Sequence, residues 1–503
     1  MKLLKTEQHL RSLTWVRERQ AYSHEQMRRL FGCADAASFD HLINELLRDN
    51  IIRCKNVTDN ATETGSDDAG AEYIAGRGDY AFAYVGLLCH RGHLVYVLPK
   101  YADYDELEHP CRIAHDMESP AQWVAELSLL LRVIQKYKSK YEKDLTDELH
   151  RRRTPSYLAL LVSLVMDYAE NGEYRDDEYL IRLNGGGRIM WERTINTTTP
   201  HLQDDEPIYM DTVNRRLVDA EDHFITRLHR VVVKECCHRL QQFGLVQLLN
   251  LPKVDAVEEG VESLGDTSYL IHCVEGELGN QFDSRRRRIL HLLLDYLKDC
   301  CYESTLNDAT YTFGSNCFNQ VWEDVCRCTL GKDVKEQFLI SPPVWEVQSS
   351  GGKADPAAVQ SLKLDMLFLE GDSAYVLDAK YYMPYRNGEN ACWAGLPGVG
   401  DVTKQFLYRQ AILSPNALEK IPSRPSPEKA YNAFLMPQST SAPAGVAVQH
   451  FAGVTMPLFP RSRVDAFRLA SAPLYEAYLH GMECANMRDA LRVALHEKQA
   501  DFA

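Results

Sequence analysis

The sequence predicts a multidomain chain of mixed α+β and α/β character. Its last part is a mixed sheet flanked by helices, preceded by a helical winged-helix-like unit and a mixed α/β middle domain. Three observations predict this. The 503 residues suffice for about three domains at roughly 100–200 residues each. Apolar positions recur at helical spacing near the start, but from about residue 285 onward helices alternate with apolar β runs. An acidic stretch that offers almost nothing to a core, residues 56–72 (NVTDNATETGSDDAGAE), separates the first part from the rest.

Residues 1–55 form the first predicted domain. Helical periodicity runs through Leu10, Leu13 and Val16, then Met27 and Leu30, then Phe39, Leu42, Ile43, Leu46 and Leu47. Ser23 and Ser38 are candidate N-caps, and Ile51–Cys54 is β-prone. Three helices and a strand suggest a winged-helix shape, although the recognition-helix segment SFDHLINELLRDN is acidic, which suits protein contact better than phosphate. The linker 56–72 follows, and residues 73–280 form a mixed α/β domain. In it AYVGLLCHRGHLVYVLPKY (83–101) reads as a β-hairpin. Cys89, His90 and His93 fall at its tip, an exposed turn without a fourth ligand at zinc spacing. Helices are predicted over 119–142, 155–170 and 217–249; NGGGRIMWERTI (184–195) is a glycine-rich turn before a strand-like run, and 253–280 is irregular. The last domain, 281–503, opens on the helix RRRRILHLLLDYLKD. It continues through the helix CFNQVWEDVCRCTLG (317–331), an extended segment at Val344–Val347, two strands in LKLDMLFLEGDSAYVLDAKYY (362–382) and a helix opening at Asp401.

Composition narrows the function. Lys plus Arg number 56 against 71 Asp plus Glu, a net charge of −15, which argues against a surface wholly devoted to nucleic acid and leaves room only for a local basic cleft. The fourteen cysteines lack regular spacing and read as reduced thiols. No apolar run approaches the roughly 18–20 residues of a spanning helix, and MKLLKTEQHLRSL lacks the apolar core of a signal peptide. A cytoplasmic chain without membrane association is expected. The GxxxxGK[ST] phosphate loop occurs nowhere, so nucleotide hydrolysis would need a separate protein.

The sharpest chemical signal is D-x12-D-x-K in the paired strands. Asp365 and Asp378 each interrupt an apolar β run, where an ionised carboxylate is costly unless paired or metal-bound. Asp378 and Lys380, two apart on a strand, share a face, and a hairpin can set Asp365 beside them. Two carboxylates about 4 Å apart repel by about 4 kcal/mol at an effective dielectric of 20. A cation between them relieves this, and oxygen donors suit Mg²⁺ (or Mn²⁺). The Ala379 carbonyl is a candidate further ligand. Lys380 is placed to position water and stabilise charge developing on a phosphate, which together describes phosphodiester hydrolysis.

These residues resemble the PD-(D/E)XK nuclease core of restriction endonucleases, with Leu364 where a proline often stands. Glu323, in QVWEDVCRC, fits the helical acid that in that superfamily contacts the metal directly or through water. Gln405 and Tyr408, in DVTKQFLYRQ, resemble the glutamine/tyrosine helix of the RecB-like and McrC-like branches, here as Q-x-x-Y, one residue shorter than the commonest form. Lys404 is a candidate phosphate contact. With VLPKY, NGGGRIMWERTI, EPIYMDTVN, WEDV and LDMLFLEG, the chain from about 80 to 480 resembles LlaJI-family restriction endonucleases, themselves similar to McrC. The resemblance implies a Mg-dependent double-stranded DNA endonuclease subunit in bacterial restriction and anti-phage defence, working with a separate McrB-like AAA+ NTPase. Arg285, Arg286, Arg287 and Arg288, or Arg151–Arg153, are candidate DNA-backbone contacts. A RecB-like exonuclease or repair nuclease and a non-catalytic adaptor on a nuclease-like fold are the competing readings.

Overall fold

The computed structural model describes residues 14–33, 35–54, 79–90, 93–102, 120–142, 157–175, 179–203, 206–217, 223–242, 245–248, 251, 260–300, 310–331, 344–348, 354–358, 364–387, 392–414, 425–439 and 447–502. Leu10, Leu13, the linker 56–72 and Arg151–Arg153 lie outside these. The chain divides into two compact units, one made of residues 1–151 and 312–503, the other of residues 152–311.

At Val16, one of three positions whose spacing suggested a helix, the first described element of the first unit is a strand. Strand β1 (Thr14–Arg17) pairs in parallel with β6 (His93–Leu98), which pairs antiparallel with β5 (Val85–His90). Tertiary pairing with the hairpin overrides the local period, and Val16 is buried between them. Strands β2 (Ala21–Tyr22), β3 (Ile52–Cys54) and β4 (Tyr80–Phe82) form a small sheet in the order β2-β4-β3. Helix α1 (His24–Leu30) starts at Ser23 in a capping box with Gln26. Helix α2 (Ala36–Arg48) is capped by Asp35, whose carboxylate accepts from the Ser38 amide, so Asp35 rather than Ser38 is the cap. Met27, Phe39, Leu42, Ile43 and Leu46 share one core with Phe82, Leu88, Val95 and Val97. Cys89 and His90 are buried on β5, not exposed at a turn. Helix α3 (Pro120–Glu142) completes this part.

The second unit is built on α4 (Tyr157–Asn171), α6 (Phe224–Gln242), α7 (Leu245–Leu248), α8 (Thr267–Asn280) and α9 (Ser284–Cys300). Between α4 and α6 lie β7 (Tyr179–Leu183), β8 (Arg188–Ile189), α5 (Trp191–Thr197), β9 (His201–Gln203), β10 (Glu206–Ile208) and β11 (Val213–Leu217), in sheets ordered β7-β11-β8 and β10-β9. The run after the glycines is therefore helix α5, not a strand, and Thr194 fixes it by accepting the Val213 amide at 2.9 Å. Much of the irregular stretch 253–280 is α8, whose N-cap is Asp266. Cys236 and Cys237 are buried on α6.

The chain returns to the first unit through β12 (Thr310–Ser315), which joins the β1-β6-β5 sheet, and α10 (Phe318–Leu330). Strands β13 (Val344–Gln348) and β14 (Ala354–Ala358) pair with each other. Then come β15 (Met366–Glu370), β16 (Ser373–Ala379), the short pair β17 (Tyr385–Asn387) and β18 (Cys392–Ala394), α11 (Val399–Leu413), β19 (Ala430–Gln438), β20 (Val448–Thr455), β21 (Arg463–Ala470), α12 (Ser471–His480) and α13 (Ala485–Phe502). Their main sheet is mixed, in the order β15-β16-β19-β21-β20. Gly371, at φ +60°, makes the tight β15/β16 turn. Strands β16, β19 and β21 run parallel, and the β16-to-β19 crossover carries α11, as parallel pairing requires. Ala374 and Val376 pack beneath Tyr408 and Ile412 of α11. Tyr375, on the alternate face, stacks with Phe368 and Tyr431. Among the described residues, no helix is long and apolar enough to cross a membrane.

Candidate active site

The β15/β16 register decides where the acids meet. Met366 pairs with Leu377, so Asp365, one residue before β15, falls opposite Asp378 near the end of β16. Asp365 Oδ2 accepts the Ala379 amide at 3.2 Å, and the two carboxyl groups are hydrogen-bonded to each other. Asp378 is 6% exposed. Burial first, then the hydrogen bond and charge of Asp378, then the charge of Glu323, raise the Asp365 carboxyl far above the usual carboxylate range, against the pull of Lys380. The two acids thus face each other at the end of β16, one buried and one half-buried.

Lys380 shares their face, as the two-residue strand period requires. Its Nζ lies 2.9 Å from Asp378 Oδ2 and 3.2 Å from Asp401 Oδ1. Burial pulls the ammonium's pKa down, but Asp378 and Asp401 outweigh it and leave it raised. The lysine is therefore held between two carboxylates.

Glu323 arrives from α10. Its neighbour Trp322 is fully buried and donates its indole N–H to the Leu435 carbonyl at 3.1 Å, while the Lys380 amide donates to the same oxygen at 2.9 Å. One carbonyl of β19 thus ties the helix carrying Glu323 to the residue carrying the site's cation. Glu323 is half-buried, and burial raises its pKa; Arg327 opposes this and Asp378 adds to it.

Helix α11 supplies the remaining groups. Asp401 stands in its first turn, where the helix dipole favours an anion, and Tyr382 donates its hydroxyl to Asp401 Oδ2 at 3.0 Å. One turn on, Gln405 is fully buried, and neither atom of its amide group has a hydrogen-bond partner among the described residues. Such orphaned polar atoms are rare inside proteins. Tyr408 is buried, its hydroxyl pKa pushed up to about 12 by burial and then by Asp378 and Asp365. Lys404 is half-buried on the same helix.

The structure thus gathers Asp365, Asp378, Ala379, Lys380, Glu323 and Tyr408 around the end of β16, with Gln405 and Lys404 on the adjoining helix. It adds Asp401 and Tyr382, which the strand motif did not indicate; the four-residue interval from Asp401 to Gln405, one helical turn, was the signal for the first. Arg285–Arg288 belong to the other unit. There Arg285 pairs with Asp167 at 3.0 Å and donates to the Gly172 carbonyl at 2.8 Å, and Arg287 donates to the Leu278 and Gln281 carbonyls. Two of the four guanidinium groups therefore hold that unit together.

A sequence profile of the LlaJI restriction endonuclease family matches residues 84–457. The chain belongs to the LlaJI restriction endonuclease family. This LlaJI-family chain is 25% identical over 420 residues to the Type II restriction enzyme BsuMI component YdjA of Bacillus subtilis (strain 168), covering 82% of this chain and 83% of that one. Among solved structures it is similar to a half-complex from a tetradecameric assembly of Thermococcus gammatolerans McrB AAA+ hexamers with bound McrC. The TM-score is 0.39 and the identity 13%, over 96% of this chain and 100% of that chain. The cryo-EM structure of the Thermococcus gammatolerans McrBC complex gives a TM-score of 0.22 at 14% identity, over 57% of this chain and 79% of that chain.

For a cation, the donor set is what matters. Among the described residues no group of three or more His, Cys, Asp or Glu side chains forms a ready metal site. The Asp365/Asp378 pair nonetheless fits a hard divalent ion, because the strand register sets two carboxyl groups opposite each other and so offers hard oxygen donors on one face. One or two carboxylates with water completing the shell is the usual protein contribution to Mg²⁺.

Proposed function

We propose that this chain is the nuclease subunit of a bacterial restriction and anti-phage system, with a PD-(D/E)XK-type centre that hydrolyses phosphodiester bonds of double-stranded DNA in the presence of Mg²⁺ or Mn²⁺. The observation that carries this is the Asp365/Asp378 carboxyl pair, facing each other at the end of β16 with Lys380 on the same face. Asp365 and Asp378 would hold the cation, with Glu323 and the Ala379 carbonyl as further candidates, directly or through water. When bound, the cation would supply Lewis-acid polarisation of a phosphoryl oxygen. Lys380, kept charged by two carboxylates, stabilises negative charge that develops on the phosphate in the transition state. Gln405 has an amide without a partner to offer a water or a substrate oxygen, and Lys404 and Tyr408 border it on α11.

A separate McrB-like AAA+ NTPase completes the proposal. The net charge of −15 disfavours tight autonomous DNA binding, and the chain carries no phosphate-loop signature of its own. In the second unit, Ile181, Leu183, Trp191, Ile195, Leu202, Ile208 and Met210 are all exposed. Apolar residues concentrated on one short segment favour a protein-binding surface.

The test is cleavage of closed circular plasmid, methylated and unmethylated, by the full chain with Mg²⁺, with and without an McrB-like AAA+ NTPase. Cutting of circular DNA that needs the NTPase and is lost in Asp365→Ala supports the proposal. Digestion of linear DNA alone, without the NTPase, replaces it with the exonuclease reading. No cleavage under any condition favours the adaptor.

A further inference from the structure

Asp401 belongs to no strand motif, yet it binds the motif's lysine, Lys380. Its Oδ1 is 3.2 Å from Lys380 Nζ, and its Oδ2 accepts the Tyr382 hydroxyl at 3.0 Å, so both oxygens are fixed. The carboxylate and the ammonium side chains are each about one-fifth exposed, at 19% and 22%. Lys380 therefore has two anionic anchors, Asp378 on its own strand and Asp401 across the crossover.

The two anchors differ once a divalent cation is present. Asp378 would be shared with the cation, which repels the ammonium; Asp401 lies one side chain further out and keeps its charge for Lys380. A lysine stem is flexible, and an ammonium without a fixed partner samples many rotamers. We propose that Asp401 is a positioning residue that holds Lys380 in place while Asp378 is engaged by the cation, leaving the N–H released by Asp378 to meet the scissile phosphate. This rests on the nuclease reading given above. It assigns Asp401 no contact with the substrate. Tyr382, by occupying the second oxygen, keeps the carboxylate turned toward the lysine.

The test combines single-turnover cleavage with Mn²⁺ binding, measured by calorimetry on the DNA-free full chain. Asp401→Asn is expected to slow cleavage at saturating Mg²⁺ and NTPase by roughly 10²-fold, the scale of a misplaced catalytic group. It should weaken Mn²⁺ binding roughly 10-fold, because Lys380 would then compete undivided for Asp378. Asp401→Glu should recover most of both losses. In a Lys380→Met background, Asp401→Asn should change Mn²⁺ affinity by less than about 2-fold, a coupling that a purely structural aspartate would not produce. Cleavage by Asp401→Asn within about 3-fold of the parent, or equal Mn²⁺ losses in both backgrounds, overturns the assignment and leaves the nuclease reading standing. Mn²⁺ binding that is unchanged in Asp365→Ala overturns the reading itself.

Discussion

Trp322 and Lys380, 58 positions apart, donate to one and the same carbonyl oxygen, that of Leu435, at 3.1 and 2.9 Å. The indole is fully buried, so its N–H has no water to fall back on. This shared acceptor fixes α10 against the end of β16. Trp322→Phe removes one donor and part of the packing volume, which should cost about 1–3 kcal/mol. The melting temperature should fall by several degrees, and cleavage should fall further than stability alone explains, because Glu323 follows Trp322. Cleavage unchanged at a temperature where the variant is fully folded would show that the tie does not align Glu323.

In metal-free protein, Asp365 should make stability fall as pH rises. Its carboxyl is raised in the folded state, so the stabilising protonated form is fully present below the unfolded value near 4 and is lost progressively toward the higher folded value. In EDTA the melting temperature should therefore decline between pH 6 and 9. Asp365→Asn should flatten that slope and melt higher than the parent at pH 8, since it keeps the hydrogen bond without the buried charge. Mg²⁺ should restore the parent and leave the variant unmoved, because only the parent gains a ligand that binds the folded state. A flat parent profile in EDTA would mean that the two acids do not share a proton.

His229 sets the opposite slope in the second unit. The ring is fully buried, its Nδ1 accepts the Tyr174 amide at 2.9 Å, and burial lowers its pKa to about 4. Between about pH 6.5 and 4 the unfolded chain takes up a proton that the folded ring refuses. Stability is intact above 6.5 and is lost as pH falls through this window, by on the order of 2–3 kcal/mol. Urea unfolding of the parent and His229→Gln across pH 4–7 checks it; a slope identical in both would remove His229 as its source.

The sequence disclosed the strands of the candidate site but not their anchors, for a physical reason. Asp365, Asp378 and Lys380 stand out because charge inside an apolar β run violates the expected pattern, and a two-residue period fixes which of them share a face. The hairpin at 83–101 and helices α3, α4, α9 and α10 were legible by the same periodicities. The pairing of β1 with β6 was not, because partner choice across some eighty residues leaves no local trace, and it turned a helix-like spacing into a strand. Asp401 was hidden likewise. Only the parallel β16–α11–β19 crossover brings the start of α11 to the end of β16.

The exposed apolar segment of the second unit should matter to a partner and not to folding. Leu202 and Met210 are 74% and 70% exposed. Replacing both with serine should change stability by no more than about 0.5 kcal/mol each, yet reduce NTPase-dependent plasmid cleavage. Chemical unfolding and cleavage measured side by side would decide it. Undiminished partner-dependent cleavage would rule out this segment as the contact.

Two neighbouring acids on α10 separate chemistry from architecture. Glu323 is half-buried and feels Asp378 and Lys380. Asp324 is 1% exposed and binds Lys140 and Arg327, each at 2.7 Å, and the Tyr478 hydroxyl at 2.7 Å. Removing Asp324 strands two cations and a hydroxyl, but both cations reach solvent, so Asp324→Ala should cost about 2–3 kcal/mol rather than the full penalty of a sealed pair. Glu323→Ala removes a half-buried carboxyl with no direct ion pair among the described residues and should leave stability nearly unchanged. Its loss of cleavage should be larger at low Mg²⁺ than at high, because an acid near the cation mainly strengthens cation binding. If Glu323→Ala loses the same fraction of activity at every Mg²⁺ concentration while Asp324→Ala shows the Mg²⁺ dependence, the roles of the two acids are reversed.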